Sequence, residues 1–288
     1  MKALYWNGAG RLEWRERPEP EIEAPGDALV RPIAVSTCDL DQVIVRAPTP
    51  VPGSEQPFAI GHEGVGEVVE VGPGVTSLRR GEIVAISYHV ACGHCDRCAD
   101  RRPLFCRSSF DGAIGMFGMP IGRDYGGLFS DLVRVPHAEH TLVPLPPDVS
   151  AVEAVSTGDN LADAWRTVAP ALVARPGADV LIHGGGSIGL YAADIARALG
   201  AGRVHYLDRD PGRRELAEHF GAVAQASDEF DPAEREYAIT VVAAGDPTGG
   251  ALRECLLATE PDGVCVNTSL HFEDPALPLM HMFLRCLS

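Results

Sequence analysis

Cysteines 92, 95, 98 and 106 follow the spacing C-x2-C-x2-C-x7-C within one short loop. Four thiols so close in sequence call for a tetrahedral metal. Zinc is the natural occupant, and a closed shell of four thiolates leaves no position for a substrate. A second set of ligand types lies outside that loop. Cys38 sits in Ser36-Thr-Cys-Asp-Leu-Asp41, His62 in Gly61-His-Glu-Gly-Val-Gly66, and Asp159 at the end of Ser156-Thr-Gly-Asp159. A thiolate, an imidazole and a carboxylate can hold zinc while leaving one position open to water or a substrate oxygen. On residue type alone, a lone cysteine such as Cys38 is more often core filler and a lone histidine such as His62 more often structural.

A third feature serves a nucleotide. Gly184-Gly-Gly186-Ser187-Ile188-Gly189 matches G-x-G-x-x-G between an apolar run, Asp179-Val-Leu-Ile-His183, and a helical one. The first glycine permits the sharp turn and the second admits a pyrophosphate to the backbone. The third lets helix and strand pack closely, and the helix N-terminus favours negative charge. Asp208 follows the next strand at the spacing of the acid that binds a ribose 2′-hydroxyl and repels a 2′-phosphate. That favours NAD over NADP, while the adjoining Arg209 is a guanidinium able to hold a phosphate.

Positioning these groups requires two kinds of architecture. Up to about residue 150, short alternating runs (Ala28–Val35, Gly66–Val71, Leu132–Val135) are broken by Gly and Pro, the pattern of a compact barrel-like β domain. From Ala151 onward, apolar strands alternate with helical stretches, beginning with a helix over 151–172, and this predicts a parallel doubly wound sheet. The expected domains are therefore 1–150, carrying the zinc ligands, and 151–288, carrying the nucleotide turn. Phe110, Phe117 and Trp165 are aromatic residues that fit either a substrate pocket or a core.

Composition removes several alternatives. The net charge of −16 opposes nucleic acid and anionic membrane. Lys2 is the sole lysine, which removes Schiff-base chemistry and a P-loop lysine. No run reaches the ~20 apolar residues of a membrane span. No signal peptide is visible, and clustered thiols suit a reducing cytoplasm better than a disulfide framework.

In order along the chain, Cys38, the Gly-His-Glu-x-x-Gly run at 61–66, the four-cysteine loop and the glycine turn resemble the zinc-containing medium-chain alcohol dehydrogenase family. The strand Gly126-Gly-Leu-Phe-Ser-Asp-Leu-Val-Arg-Val-Pro136 resembles that family's as well. The resemblance implies a GroES-like β-barrel catalytic domain followed by a Rossmann NAD-binding domain. Cys38, His62 and Asp159 are implied as ligands of a catalytic zinc, with Glu63 beside the metal and Asp41 orienting the histidine. Cys92, Cys95, Cys98 and Cys106 are implied as ligands of a structural zinc. The implied chemistry is hydride transfer between NAD and a small alcohol, polyol or matching carbonyl compound, in the cleft between the domains. The zinc lowers the pKa of the alcohol.

Two departures from the family pattern stand out. Leu40 takes the place of the Ser or Thr that starts the family's proton relay, so a proton must travel by water, Glu63, the substrate, or a neighbouring hydroxyl such as Ser36 or Thr37. The family also continues beyond the segment resembling Leu277–Ser288, so the Rossmann sheet is expected to lack its last strand and the return segment. That leaves homo-oligomerisation in question and admits a non-catalytic, nucleotide- and zinc-binding remnant as the alternative function.

Overall fold

The computed structural model describes residues 1–7, 11–46, 57–109, 115–119, 124–246, 248–271 and 274–288. They form two compact units, Met1–Asp159 and Asn160–Ser288, dividing a little past the boundary expected at residue 150. Among the described residues no helix is long and apolar enough to cross a membrane.

The first unit is built on β1 (Lys2–Trp6), β2 (Leu12–Glu16), β3 (Ala28–Ser36), α1 (Asp39–Arg46), β4 (Phe58–Ala59), β5 (Glu63–Val71) and β6 (Ile83–Ile86). There follow α2 (Asp96–Ala99), β7 (Val133–Val135), α3 (Ala138–Thr141) and β8 (Leu142–Pro144). β2-β1-β4 make a small antiparallel sheet, and β7-β3-β5-β6-β8 a five-stranded antiparallel one. Alternate residues of the larger sheet, among them Val30, Val68, Val84 and Ile86, enter one apolar core with Phe117 and Leu128. The β3–β5 register shifts between Pro32 and Ala34, where Pro32 has no N–H to give the ladder. Beyond the shift, Ser36 pairs directly with Glu63, which fixes the two side chains at the strand ends next to Cys38 and His62.

The second unit runs α4 (Asn160–Ala174), β9 (Val180–His183), α5 (Ile188–Ala198), β10 (Val204–Leu207), α6 (Pro211–His219) and β11 (Val223–Gln225). It continues with β12 (Tyr237–Val242), α7 (Gly250–Ala258), β13 (Thr259–Asn267) and α8 (Leu279–Arg285). The sheet is parallel in the order β11-β10-β9-β12-β13. Val180 and Ile182 face a core shared with α4 and α5, while Leu181 faces one shared with α7. Burial on both faces is why these strands read as unbroken apolar runs rather than as an alternation. Beyond α8, the Ser288 N–H donates to the Gly263 carbonyl (3.1 Å) and the Cys265 N–H to the Ser288 carbonyl (2.9 Å), so Ser288 lies along β13 as a parallel neighbour.

The helix expected from residue 151 starts at Asn160 instead. Ser150 and Glu153 do exchange capping hydrogen bonds (2.9 and 3.3 Å), and Ala154 closes one helical turn on Ser150. The chain then leaves the helical path, because Gly158 is pressed against strand β6. A Cβ at Gly158 would lie 2.0 Å from the Ile86 carbonyl oxygen, and the Gly158 carbonyl accepts the Tyr88 N–H at 3.2 Å. Tertiary contact here overrides an Ala-rich helical pattern.

Candidate metal centres and dinucleotide turn

In the first unit, Cys38 stands immediately before α1, and Asp41 reaches back from the first turn of that helix. Its Oδ2 accepts the Cys38 N–H at 2.8 Å, the acid half of a capping box. Its Oδ1 lies 3.3 Å from His62 Nδ1. One carboxylate thus fixes both a thiol and an imidazole. An acceptor on Nδ1 holds the proton there and leaves the Nε2 lone pair for a metal, the role outer carboxylates play around metal-binding histidines.

His62 Nε2 points to Asp159 Oδ2, 3.1 Å away. Two ligands of one tetrahedral zinc, with bonds near 2.0–2.2 Å, stand about 3.3 Å apart, so this pair has the spacing a shared zinc requires. The ligand atoms of Cys38, Asp41 and His62 lie within 4.8 Å of one another, as do those of His62, Glu63 and Asp159. Cys38 and Asp159 therefore meet through His62 rather than in one closed triangle. Burial alone would lower the His62 pKa, but hydrogen bonds to Asp159, Asp41 and Cys38 outweigh it and raise it from 6.5 to about 12. The cause is a surplus of anionic oxygen and sulfur around one ring that is 3% exposed, the electrostatics of a cation site. The donor types suit zinc, and the His62–Asp159 pair has zinc-ligand spacing, while Cys38 and Asp159 share no group within 4.8 Å.

Glu63 is fully buried, and its Oε2 accepts the Ser36 hydroxyl at 2.7 Å. Ser36 Oγ also lies 3.2 Å from Ser156 Oγ. Ser36, one of the hydroxyls expected near the proton path, is brought to Glu63 by the strand register, whereas no motif points to Ser156. Leu40 packs against the Trp6–Phe58 cluster. A second imidazole near the site also escaped sequence reasoning. His89 Nδ1 lies 3.1 Å from Ser87 Oγ, and burial lowers its pKa while the Asp159 charge opposes that shift.

The four loop cysteines bring their sulfurs within 4.8 Å of one another, with Cys92 and Cys106 buried. The Cys92 N–H donates to Cys106 Sγ at 3.3 Å. Burial opposes ionisation of Cys106, but hydrogen bonds from the Cys92 N–H, the Ser109 hydroxyl and the Ser108 N–H outweigh it and bring the thiol down to about 5. A set of four sulfurs with backbone N–H donors aimed at them fits a structural zinc.

In the second unit the glycine turn joins β9 to α5. The Gly184 N–H donates to the Leu207 carbonyl at 2.6 Å, tying the turn to β10. Gly185, a position the sequence pattern leaves free, has φ +96°, and a Cβ there would lie 2.5 Å from the Ala243 carbonyl oxygen. Only glycine suits both constraints. Gly186 follows it, Ser187 donates its hydroxyl to Asn160 Oδ1 at 2.7 Å, and Ile188 and Gly189 open α5. Asp208 is buried at the end of β10. Its Oδ1 accepts the Asp210 N–H at 2.8 Å, and Arg213 Nη1 stands 3.5 Å from its Oδ2. Arg214 donates to the Asp208 and Arg209 carbonyls at 2.8 and 2.9 Å. A turn of bare backbone at a helix N-terminus, with a carboxylate on the neighbouring strand, fits a dinucleotide.

Of the aromatic residues, Phe117 is fully buried and Trp165 is 53% exposed, while Phe110 lies outside the described residues. Gly158 gives the metal site a direct test. Gly158→Ala must push the backbone away from Ile86, carrying Asp159 with it. It is expected to weaken zinc binding at the His62 site by about tenfold or more and to cost about 1–3 kcal/mol of stability. Competitive zinc titration and thermal melting would measure both.

Residues 24–147 match the family model described as the alcohol dehydrogenase GroES-like domain. The whole chain aligns with a Mycobacterium tuberculosis protein described as a "Probable zinc-binding alcohol dehydrogenase", at 29% identity and covering 73% of that protein. An L-threonine 3-dehydrogenase of Chelativorans sp. is 35% identical over 77% of this chain, which spans only 60% of that enzyme. Among solved structures, the alcohol dehydrogenase TADH of Thermus sp. ATN1 superposes with a TM-score of 0.90 at 28% identity, covering 100% of this chain and 83% of its own.

Proposed function

We propose that the chain is a zinc-containing medium-chain alcohol dehydrogenase that transfers a hydride between NAD and an alcohol or polyol, or the matching aldehyde or ketone. The single observation that carries this reading is His62, held by Asp41 on one nitrogen and facing Asp159 with the other, beside Cys38. Cys38, His62 and Asp159 would hold the catalytic zinc, and Cys92, Cys95, Cys98 and Cys106 the structural one. When bound, the catalytic ion acts as a Lewis acid on the substrate oxygen, and the nicotinamide accepts or returns the hydride.

The remaining steps belong to the chain's own residues. Asp41 accepts from His62 Nδ1 and orients the ring, so that zinc, when bound, would take the place of the proton on Nε2. Glu63 places a second carboxylate beside His62 and Asp159, restrained by Ser36. Leu40 offers no hydroxyl, so the alcohol proton leaves by another path. Ser36 Oγ, hydrogen-bonded to both Glu63 and Ser156, supplies the first exchangeable hydroxyls next to the ligands. In the second unit Gly185 and Gly186 would let a pyrophosphate approach the backbone at the head of α5, and Asp208 would hold the adenosine ribose.

An NAD-coupled screen of alcohols and polyols, run with and without prior chelation, tests the reading. Reduction of NAD that is lost on chelation and restored by zinc is the expected result. Metal confined to the four-cysteine loop, with no binding of reduced cofactor, would overturn it.

A further inference from the structure

Tyr206 lies in the middle of β10 with none of its surface exposed. A phenol so deeply buried needs a partner for its hydroxyl, and two acceptors within its reach belong to the dinucleotide site. Its hydroxyl stands 2.8 Å from the Gly185 carbonyl oxygen and 3.1 Å from Asp208 Oδ2. Gly185, like Gly184 before it, has a positive φ in the glycine turn. One hydroxyl proton, shared between these two acceptors, therefore links the two halves of the site, one serving the pyrophosphate and the other the ribose.

We propose that Tyr206 is a specificity-determining positioning residue that locks the Asp208 carboxylate for a free ribose 2′-hydroxyl and so sets the preference for NADH over NADPH. The inference rests on the cofactor reading above and deepens it. A carboxylate oxygen accepts about two hydrogen bonds. The Asp210 N–H takes one on Oδ1, while Tyr206 and Arg213 address Oδ2. The plane of the carboxylate is thus set before any ligand arrives, and acceptor capacity is left over for ribose. Pre-orientation of this kind saves the ordering cost at the moment of binding. It also holds a negative charge where a 2′-phosphate would have to sit. Without the phenol, the carboxylate is free to turn toward Arg213 and away from the ribose, which eases the exclusion of NADPH.

The two acceptors share one Tyr206 proton, but their loss acts differently on the two dinucleotides. The link to Gly185 affects a part of the site that both dinucleotides use, so its loss weakens both equally. The link to Asp208 matters only to the group that differs between them. The ratio of the two dissociation constants therefore isolates the Asp208 arm.

The test is fluorescence titration of the zinc-loaded full chain with NADH and with NADPH, for the wild type, Tyr206→Phe, Asp208→Asn and the double variant. Tyr206→Phe is expected to weaken NADH by about fivefold and to lower the NADH-over-NADPH preference by about tenfold. In the Asp208→Asn background the same change is expected to leave the preference unaltered. Equal weakening of both dinucleotides by Tyr206→Phe, an unchanged preference, or a change that persists in the Asp208→Asn background would overturn the inference while leaving the cofactor reading in place. A wild-type chain that binds neither dinucleotide would instead overturn the cofactor reading itself. Should Tyr206→Phe fail to fold, 3-fluorotyrosine at position 206 keeps the shape and the donor. Its fluorine resonance is expected to move further with NADH than with NADPH, and identical movement would count against the proposal.

Discussion

Replacing His62 by Ala is expected to lower kcat/KM for alcohol oxidation by about 10³-fold or more, equivalent to about 4 kcal/mol of transition-state stabilisation. The size follows from the position of the ring. His62 is common to both groups of candidate ligands, and its Nε2 faces Asp159 at 3.1 Å. Without it, Cys38 and Asp159 lack the group through which they meet, and the buried carboxylate of Glu63 faces a site with one donor fewer. The variant should keep the metal of the four-cysteine loop and lose the other. Asp41→Asn is the informative companion. It leaves every proposed ligand in place and changes only the acceptor on Nδ1 and on the Cys38 N–H. A loss of about 10–100-fold in metal affinity is expected there, with activity partly restored by added zinc. Steady-state kinetics with metal analysis of both variants would check the pair. Near-wild-type turnover by His62→Ala would mean that the ring has no part in the chemistry.

The second large effect falls on stability. Cys106→Ser is expected to leave the first unit without its structural metal and to prevent a cooperative thermal transition of the normal midpoint. Cys106 is fully buried, and its sulfur accepts the Cys92 N–H. Serine offers a poor zinc ligand in its place. Structural zinc contributes roughly 10–16 kcal/mol in small zinc-binding peptides, comparable to the whole stability of a domain, about 5–15 kcal/mol. Cys286→Ser is the control, since Cys286 is exposed and belongs to no metal-ligand group of the described residues. Its melting temperature and zinc content should match the wild type. Calorimetry and metal analysis measure both variants, and an unchanged melting temperature for Cys106→Ser would remove the structural role of the loop.

The features most legible in the amino-acid sequence were those whose chemistry is local. The four-cysteine spacing lies within one loop, and the glycine turn sits between an apolar run and a helix, so neighbours in sequence are neighbours in space. The alternation of strand and helix after residue 174 was equally plain, because a strand buried on both faces carries an unbroken apolar run. What the sequence concealed depended on distant contacts. Ser150, Glu153 and the surrounding alanines spell a helix start, yet Gly158 against Ile86 turns the chain away from it and brings Asp159 to His62. Ser36 meets Glu63 only because the β3–β5 register shifts at Pro32. Gly185 occupies a free position of its motif yet shares a positive φ with Gly184, and Tyr206 looks like an ordinary core aromatic until its hydroxyl is traced to Gly185 and Asp208.

Zinc K-edge absorption on the purified full chain, combined with metal counting, tests the two-centre account most directly. About two zinc ions per chain are expected, one with a shell of four sulfurs and one with a single sulfur and the remainder nitrogen and oxygen. The averaged shell should therefore hold roughly five sulfurs for every three lighter ligands. A single zinc with a purely sulfur shell would contradict the account, because Cys38, His62 and Asp159 would then hold no metal.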